Sequence, residues 1–243
     1  MKTREAGLGA LDAIYRGLGA RDIFARTGVS DADKALMRIS ALLGVGHTGS
    51  LLREALVDAL ANALTGVQSE DLIIHLASYV GIARAHDAMR MLASTLEALG
   101  HAHDVGTSAD THAGKPLAER FTSGMAQYAR LDGPRAHQQL AFYDELSPDH
   151  YRYAMGMFGC TFDRPSLDVR AREIATVSVL AAMGTAPGQL GFHARVALGQ
   201  GVEKTLLPEI LLYVQLFAGL PAANNAATVL RDLVVAPLRP GSV

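Results

Sequence analysis

The chain of 243 residues is long enough to bury one large core or two smaller ones, and about half of it is apolar. A net charge of −2, with Lys and Arg scattered, gives no electrostatic case for nucleic acid or an anionic membrane, and neither is expected as a partner. One cysteine, Cys160, excludes an internal disulfide and fits a reducing cytoplasm, while the absence of a secretory leader or a long apolar run argues against export or membrane insertion.

Residues 1–29 read as one or two helices with Leu8, Leu11, Ile14, Tyr15 and Leu18 on one face. Ser30, with Asp33 three residues on, opens a helix that stops at Gly44. Helices follow over about 51–64, 69–80 and 83–99, each ended by a glycine. Residues 101–115 are small, polar and aperiodic, and read as a linker between a unit spanning 1–100 and another spanning 116–243. His101, His103 and His112 lie there, but no partner sits at helical spacing beside them, so no metal is expected. Helices are then predicted from Pro116 to about 131, up to Leu146, from Ser147-Pro148 to about Phe158, and over 204–217 and 221–234. Period-two alternation is nearly absent, so the fold class is all-α.

The stretch 164–198 carries the chemistry. Asp168 suits an N-cap, Ile174, Val177 and Ala181 share a helical face, and Gly184 suits a left-handed cap. Thr185 is positioned to cap the next helix, with Pro187 in its first turn and Gly201 after its end. Two helices joined so tightly lie side by side, which allows Glu173 on the first to face His193 on the second. The alternative is a surface Glu173 paired with Arg170 or Arg172, and a buried structural histidine. The order of helices and glycine joints in 30–99 repeats in 167–234, with Gly66-Val67 matching Gly201-Val202 and Tyr79-Val80-Gly81 matching Phe217-Ala218-Gly219.

The segments F-Y-D-E-L (142–146), R-P-S-L-D (164–168), R-E-I (172–174), H-A-R-V-A-L (193–198), P-E-I-L-L (208–212) and F-A-G-L-P-A-A-N-N-A (217–226), in this order, resemble the carboxymuconolactone decarboxylase family. That resemblance implies an all-helical fold shared with the alkyl hydroperoxidase D proteins, here as two tandem repeats with a degenerate first copy acting as scaffold. It implies a cofactor-independent acid–base lyase or isomerase with Glu173 and His193 as the catalytic pair, and Arg195 as a carboxylate anchor. Phe162, Cys160 and Asn224 are further candidates to line the substrate site. The family's peroxidase branch would need cysteines at Ala186 and Gln189, so thiol chemistry is not expected. The C-T-F-D stretch at 160–163 departs from the family pattern, which carries a tryptophan there, and points to an unusual substrate: a small or polyketide-like keto acid, lactone or enol of specialised metabolism. The family's assemblies imply a homo-oligomer, a dimer or a trimer. The competing reading is a catalytically silent helical scaffold or small-molecule binder.

Overall fold

The computed structural model describes residues 2–101, 114–132 and 136–235; most of the 101–115 segment therefore lies outside it. Among the described residues there are helices and no strands. α1 (Lys2–Tyr15) runs on into a wider π-helical segment, Arg16–Phe24. Then come α2 (Asp31–Gly44), α3 (Ser50–Asn62), α4 (Gly66–Val80) and α5 (Ile82–Leu99). The second half holds α6 (Leu117–Asp132), α7 (Ala136–Leu146), α8 (Pro148–Phe162), α9 (Val169–Met183), α10 (Pro187–Gly199), α11 (Leu206–Ala218) and α12 (Leu220–Val235). No described helix is long and apolar enough to cross a membrane.

The helix ends follow from side-chain chemistry. Ser30 accepts the Asp33 N–H, Ser147 accepts that of His150, and Asp168 accepts that of Ala171, so each helix begins where an orphan donor is met. Gly184 closes α9 in the left-handed region (φ 67°), where a Cβ would be strained. Three boundaries differ from expectation. α4 starts three residues early because Thr65 and Gln68 form a reciprocal capping box. α8 does not stop at Phe158 but continues to Phe162, which places Cys160 and Phe162 on a helix. Thr185 does not cap α10: its N-cap position is Ala186, with no side-chain hydrogen bond, and Pro187 supplies the fixed φ of the first turn.

α2 and α9 cross at the centre. Around them the packing is matched: α3, α4 and α5 sit about α2 as α10, α11 and α12 sit about α9. Each central helix also meets the other set, α9 packing on α4 and α2 on α11. The core is continuous across both sets, from Leu36, Ile39 and Leu43 to Ile174, Val177 and Ile210. Buried ions join the halves as well. Arg170 grips Asp33 through two hydrogen bonds, of 2.8 and 3.0 Å, and Arg164 donates to buried Asp71 at 2.5 Å. The apolar stripe of α1 is not core in the single chain: Leu8, Leu11, Ile14 and Leu18 are each more than half exposed, whereas Tyr15 packs on Phe24 and Phe217.

Close crossings depend on missing side chains. A Cβ on Gly124 or Gly159 would run into the backbone of the facing helix, so α6 and α8 touch main chain to main chain. At the central crossing, a Cβ on Gly44 would lie 2.8 Å from both the Val179 carbonyl oxygen and the Ala182 Cβ. Backbone cannot swing aside as a side-chain tip can. Gly44→Ala is therefore expected to lower stability by about 2 kcal/mol or more in urea unfolding. Gly188→Ala, at a helical position with no atom within 4 Å, should be neutral or stabilising by up to about 1 kcal/mol.

Candidate active site

α9 is buried over its whole length from Arg172 to Ala182, so each polar group on it needs an internal partner. Arg172, 1% exposed, donates to the carbonyls of Leu167, Thr161 and Arg164, and its guanidinium lies over the Phe162 ring. It thereby holds the R-P-S-L-D loop against the end of α8. Burial outweighs the neighbouring Asp71 carboxylate and lowers the Arg172 pKa to about 10. Ser178 donates back to the Ile174 carbonyl. Thr176 shares a 2.8 Å hydrogen bond with His75 Nε2, a residue of α4.

Glu173 is fully buried, and its Oε2 lies 2.9 Å from His193 Nδ1. The two helices lie side by side as the short Gly184 joint requires. The surface alternative fails: Arg172 points to carbonyls, and Arg170 reaches Asp33 and Glu203. The contact fixes the orientation of the imidazole, with Nε2 on the far side of the ring from Glu173. Glu173 Oε1 is buried with no hydrogen-bond partner. So are His75 Nδ1 and the Tyr79 hydroxyl.

Aromatic rings form a circuit that runs through His193. Phe158 stacks on Phe162 with centroids 4.6 Å apart, and Phe162 meets His75 at 5.3 Å. His75 meets Tyr79 at 5.5 Å, and Tyr79 stands edge-on to His193 at 5.6 Å. Phe192 touches His193 at 5.1 Å and stacks on Tyr128 at 5.8 Å, and Tyr128 returns to Phe158 at 6.1 Å. Phe158, Phe162 and His75 are buried, while Tyr79, Tyr128 and Phe192 are half-buried. The rings come from α4, α6, α8 and α10, so both halves of the chain build the site.

The sequence-derived candidates divide accordingly. Glu173 and His193 meet, and Phe162 joins the ring circuit through His75. Arg195 is exposed, turned about 200° around α10 from His193, and its guanidinium lies back over Gly191. It does not reach the pair as a carboxylate anchor. Asn224 is exposed on α12, its carbonyl taken by Thr228, and it does not join the site. Cys160 lies two residues before Phe162 on one helix and so faces elsewhere, into an apolar cavity of about 550 Å³ lined also by Ile73, His86, Met89 and Met157. His75, Tyr79 and Tyr128 are site residues that local sequence pattern does not announce. The i, i+4 spacing of His75 and Tyr79 placed both rings on one helix face, but nothing local tied that face to α9.

A model of the carboxymuconolactone decarboxylase family matches residues 148–232. The 4-carboxymuconolactone decarboxylase of Acinetobacter baylyi is 38% identical over 125 residues, covering 92% of that protein and 49% of this chain. An uncharacterised 15.0 kDa protein from the nqo9-nqo10 intergenic region of Paracoccus denitrificans is 32% identical over 126 residues, 94% of its length and 51% of this chain. The chain belongs to the carboxymuconolactone decarboxylase family.

Burial pushes the His75 pKa well below the ordinary histidine value, and the charges of Arg172 and of a protonated His193 push it the same way. The folded protein thus holds His75 neutral, while the unfolded chain takes up a proton near pH 6.5. Stability supplied by the neutral ring is complete above that pH and falls as pH drops below it. Urea midpoints measured from about pH 7.5 to 5 should fall less steeply for His75→Gln than for the wild type.

Proposed function

We propose that the chain is a cofactor-independent acid–base lyase, a decarboxylase or related isomerase acting on a conjugated lactone or keto acid. The observation that carries this reading is the buried Glu173–His193 pair, with one carboxylate oxygen unpartnered and the imidazole set against the rings of Tyr79 and Phe192. The Acinetobacter relative's decarboxylase name supports it, as does the family match over the residues that hold the pair. A planar, conjugated substrate suits walls made of ring faces and edges. As the bond to the leaving carboxylate breaks, its electron pair moves into the conjugated system and carbon dioxide departs. His193 then delivers a proton to carbon and is reprotonated from solvent. Glu173 keeps the imidazole oriented and offsets its charge. The lone Cys160 faces another cavity, and positions 186 and 189 are Ala and Gln, which supports acid–base rather than thiol chemistry. The same proposal takes the substrate to be a small or polyketide-like acid of specialised metabolism and the setting to be the cytoplasm.

The matched packing of α2–α5 and α9–α12 supports two tandem copies of one helical unit, at 1–100 and 116–243, joined by 101–115. The first copy lacks the pair: Leu36 takes the place of Glu173, and Asp58, near the place of His193, forms an ion pair with Arg38. It is nevertheless more than a scaffold in this reading, since α4 walls the site. The exposed stripe Leu8, Leu11, Ile14 and Leu18 supports a homo-oligomer, a dimer or a trimer.

Carbon dioxide release is to be measured on 4-carboxymuconolactone, other lactone acids and β-keto acids. Turnover should fall about a hundredfold or more in both His193→Ala and Glu173→Gln, with circular dichroism showing all three proteins folded. Unchanged turnover in both variants would overturn the assignment. Saturable binding without turnover would favour the silent-binder reading.

A further inference from the structure

Tyr79 belongs to α4, in the half of the chain outside the family match. It lies one turn after His75, so both rings face α9 from the same side. Its ring stands at 82° to the His193 imidazole, with centroids 5.6 Å apart. Its hydroxyl is buried beside Thr176 with no well-directed hydrogen bond. Glu173 Oε1, equally buried, is also unpartnered. A buried hydroxyl without a well-directed partner is costly, so the fold holds this donor where a substrate oxygen can meet it. Burial and the nearby Glu173 carboxylate both raise the Tyr79 pKa, so the phenol stays protonated and acts as a donor.

We propose that Tyr79 completes the acid–base site from the N-terminal half, its hydroxyl donating a hydrogen bond to the substrate oxygen that becomes negative as carbon dioxide leaves. This rests on the lyase reading above. The electron pair released from the breaking carbon–carbon bond travels through the conjugated system to a carbonyl oxygen, which becomes an enolate. Tyr79 keeps its proton and stabilises that oxyanion. When His193 protonates carbon, the pair returns, the carbonyl re-forms and the Tyr79 hydrogen bond weakens again. No redox step or co-reactant enters. His75 acts as a positioning residue. Its bond to Thr176 sets the hydroxyl that lies beside Tyr79, and its ring packs against the tyrosine ring.

Tyr79→Phe deletes the hydroxyl and leaves the ring packing. It is expected to lower kcat about 10- to 100-fold with KM nearly unchanged, and to leave the melting temperature equal or higher. A second measurement is independent of turnover. 4-Nitrophenol, a planar oxyanion probe, should bind the wild type about tenfold more tightly than Tyr79→Phe, read by its absorbance change. Equal turnover and equal probe affinity in the two proteins would overturn the assignment, as would failure of the wild type to bind the probe. If His193→Ala and Glu173→Gln lose turnover while Tyr79→Phe matches the wild type in both readouts, only the Tyr79 role falls. If the wild type turns over nothing yet binds the probe more tightly than Tyr79→Phe, the oxyanion donor stands and the lyase reading falls.

Discussion

A helix buried on every side can carry polar groups only where its neighbours answer them, and α9 is such a helix. Arg172, Glu173, Thr176 and Ser178 all sit on it, and each takes its partner from a different place. Arg172 turns to the carbonyls at the end of α8 and along the following loop. Thr176 turns to α4 of the other half. Glu173 turns to α10. The requirement to satisfy one helix thus fixes where three others lie, and the satisfaction is incomplete at Glu173 Oε1.

The loop before α9 shows how much ionic structure supports this arrangement. Arg164 and the Ser166 N–H both engage Asp71, which is fully buried on α4, while Arg172 holds the loop's carbonyls from the other side. Removing one member of such a network strands the rest without water or partner, which costs more than the net value of the intact pair. These contacts bind the R-P-S-L-D segment to the N-terminal half and keep α4 at the distance that lets His75 reach Thr176.

Local chemistry was legible in the sequence, and long-range chemistry was not. Asp168 and Gly184 announced both ends of α9, and the short joint after Gly184 sufficed to bring Glu173 to His193, only twenty positions apart. α4 begins before its apolar periodicity does, at the Thr65–Gln68 box, and nothing local stops α8 before Asp163. Arg195 looked suited to a substrate because it is near His193 in sequence, but two positions on a helix are nearly opposite faces. His75 and Thr176 are 101 positions apart, and no periodicity or capping pattern links them. Their meeting depends on the crossing of α2 and α9, which is set by small residues such as Gly44 that carry no chemical signature of their own.

His75 and Tyr79, on α4, come from a different stretch of the chain than Glu173 and His193. In a ring of identical subunits, any substitution in a wall is copied at once into every subunit, including the surface that carries the pair. Here α4 can change without α11 changing. The α4 wall and the Glu173–His193 pair are therefore separately heritable: His75, Tyr79 or their neighbours can be altered while Glu173 and His193 stay untouched.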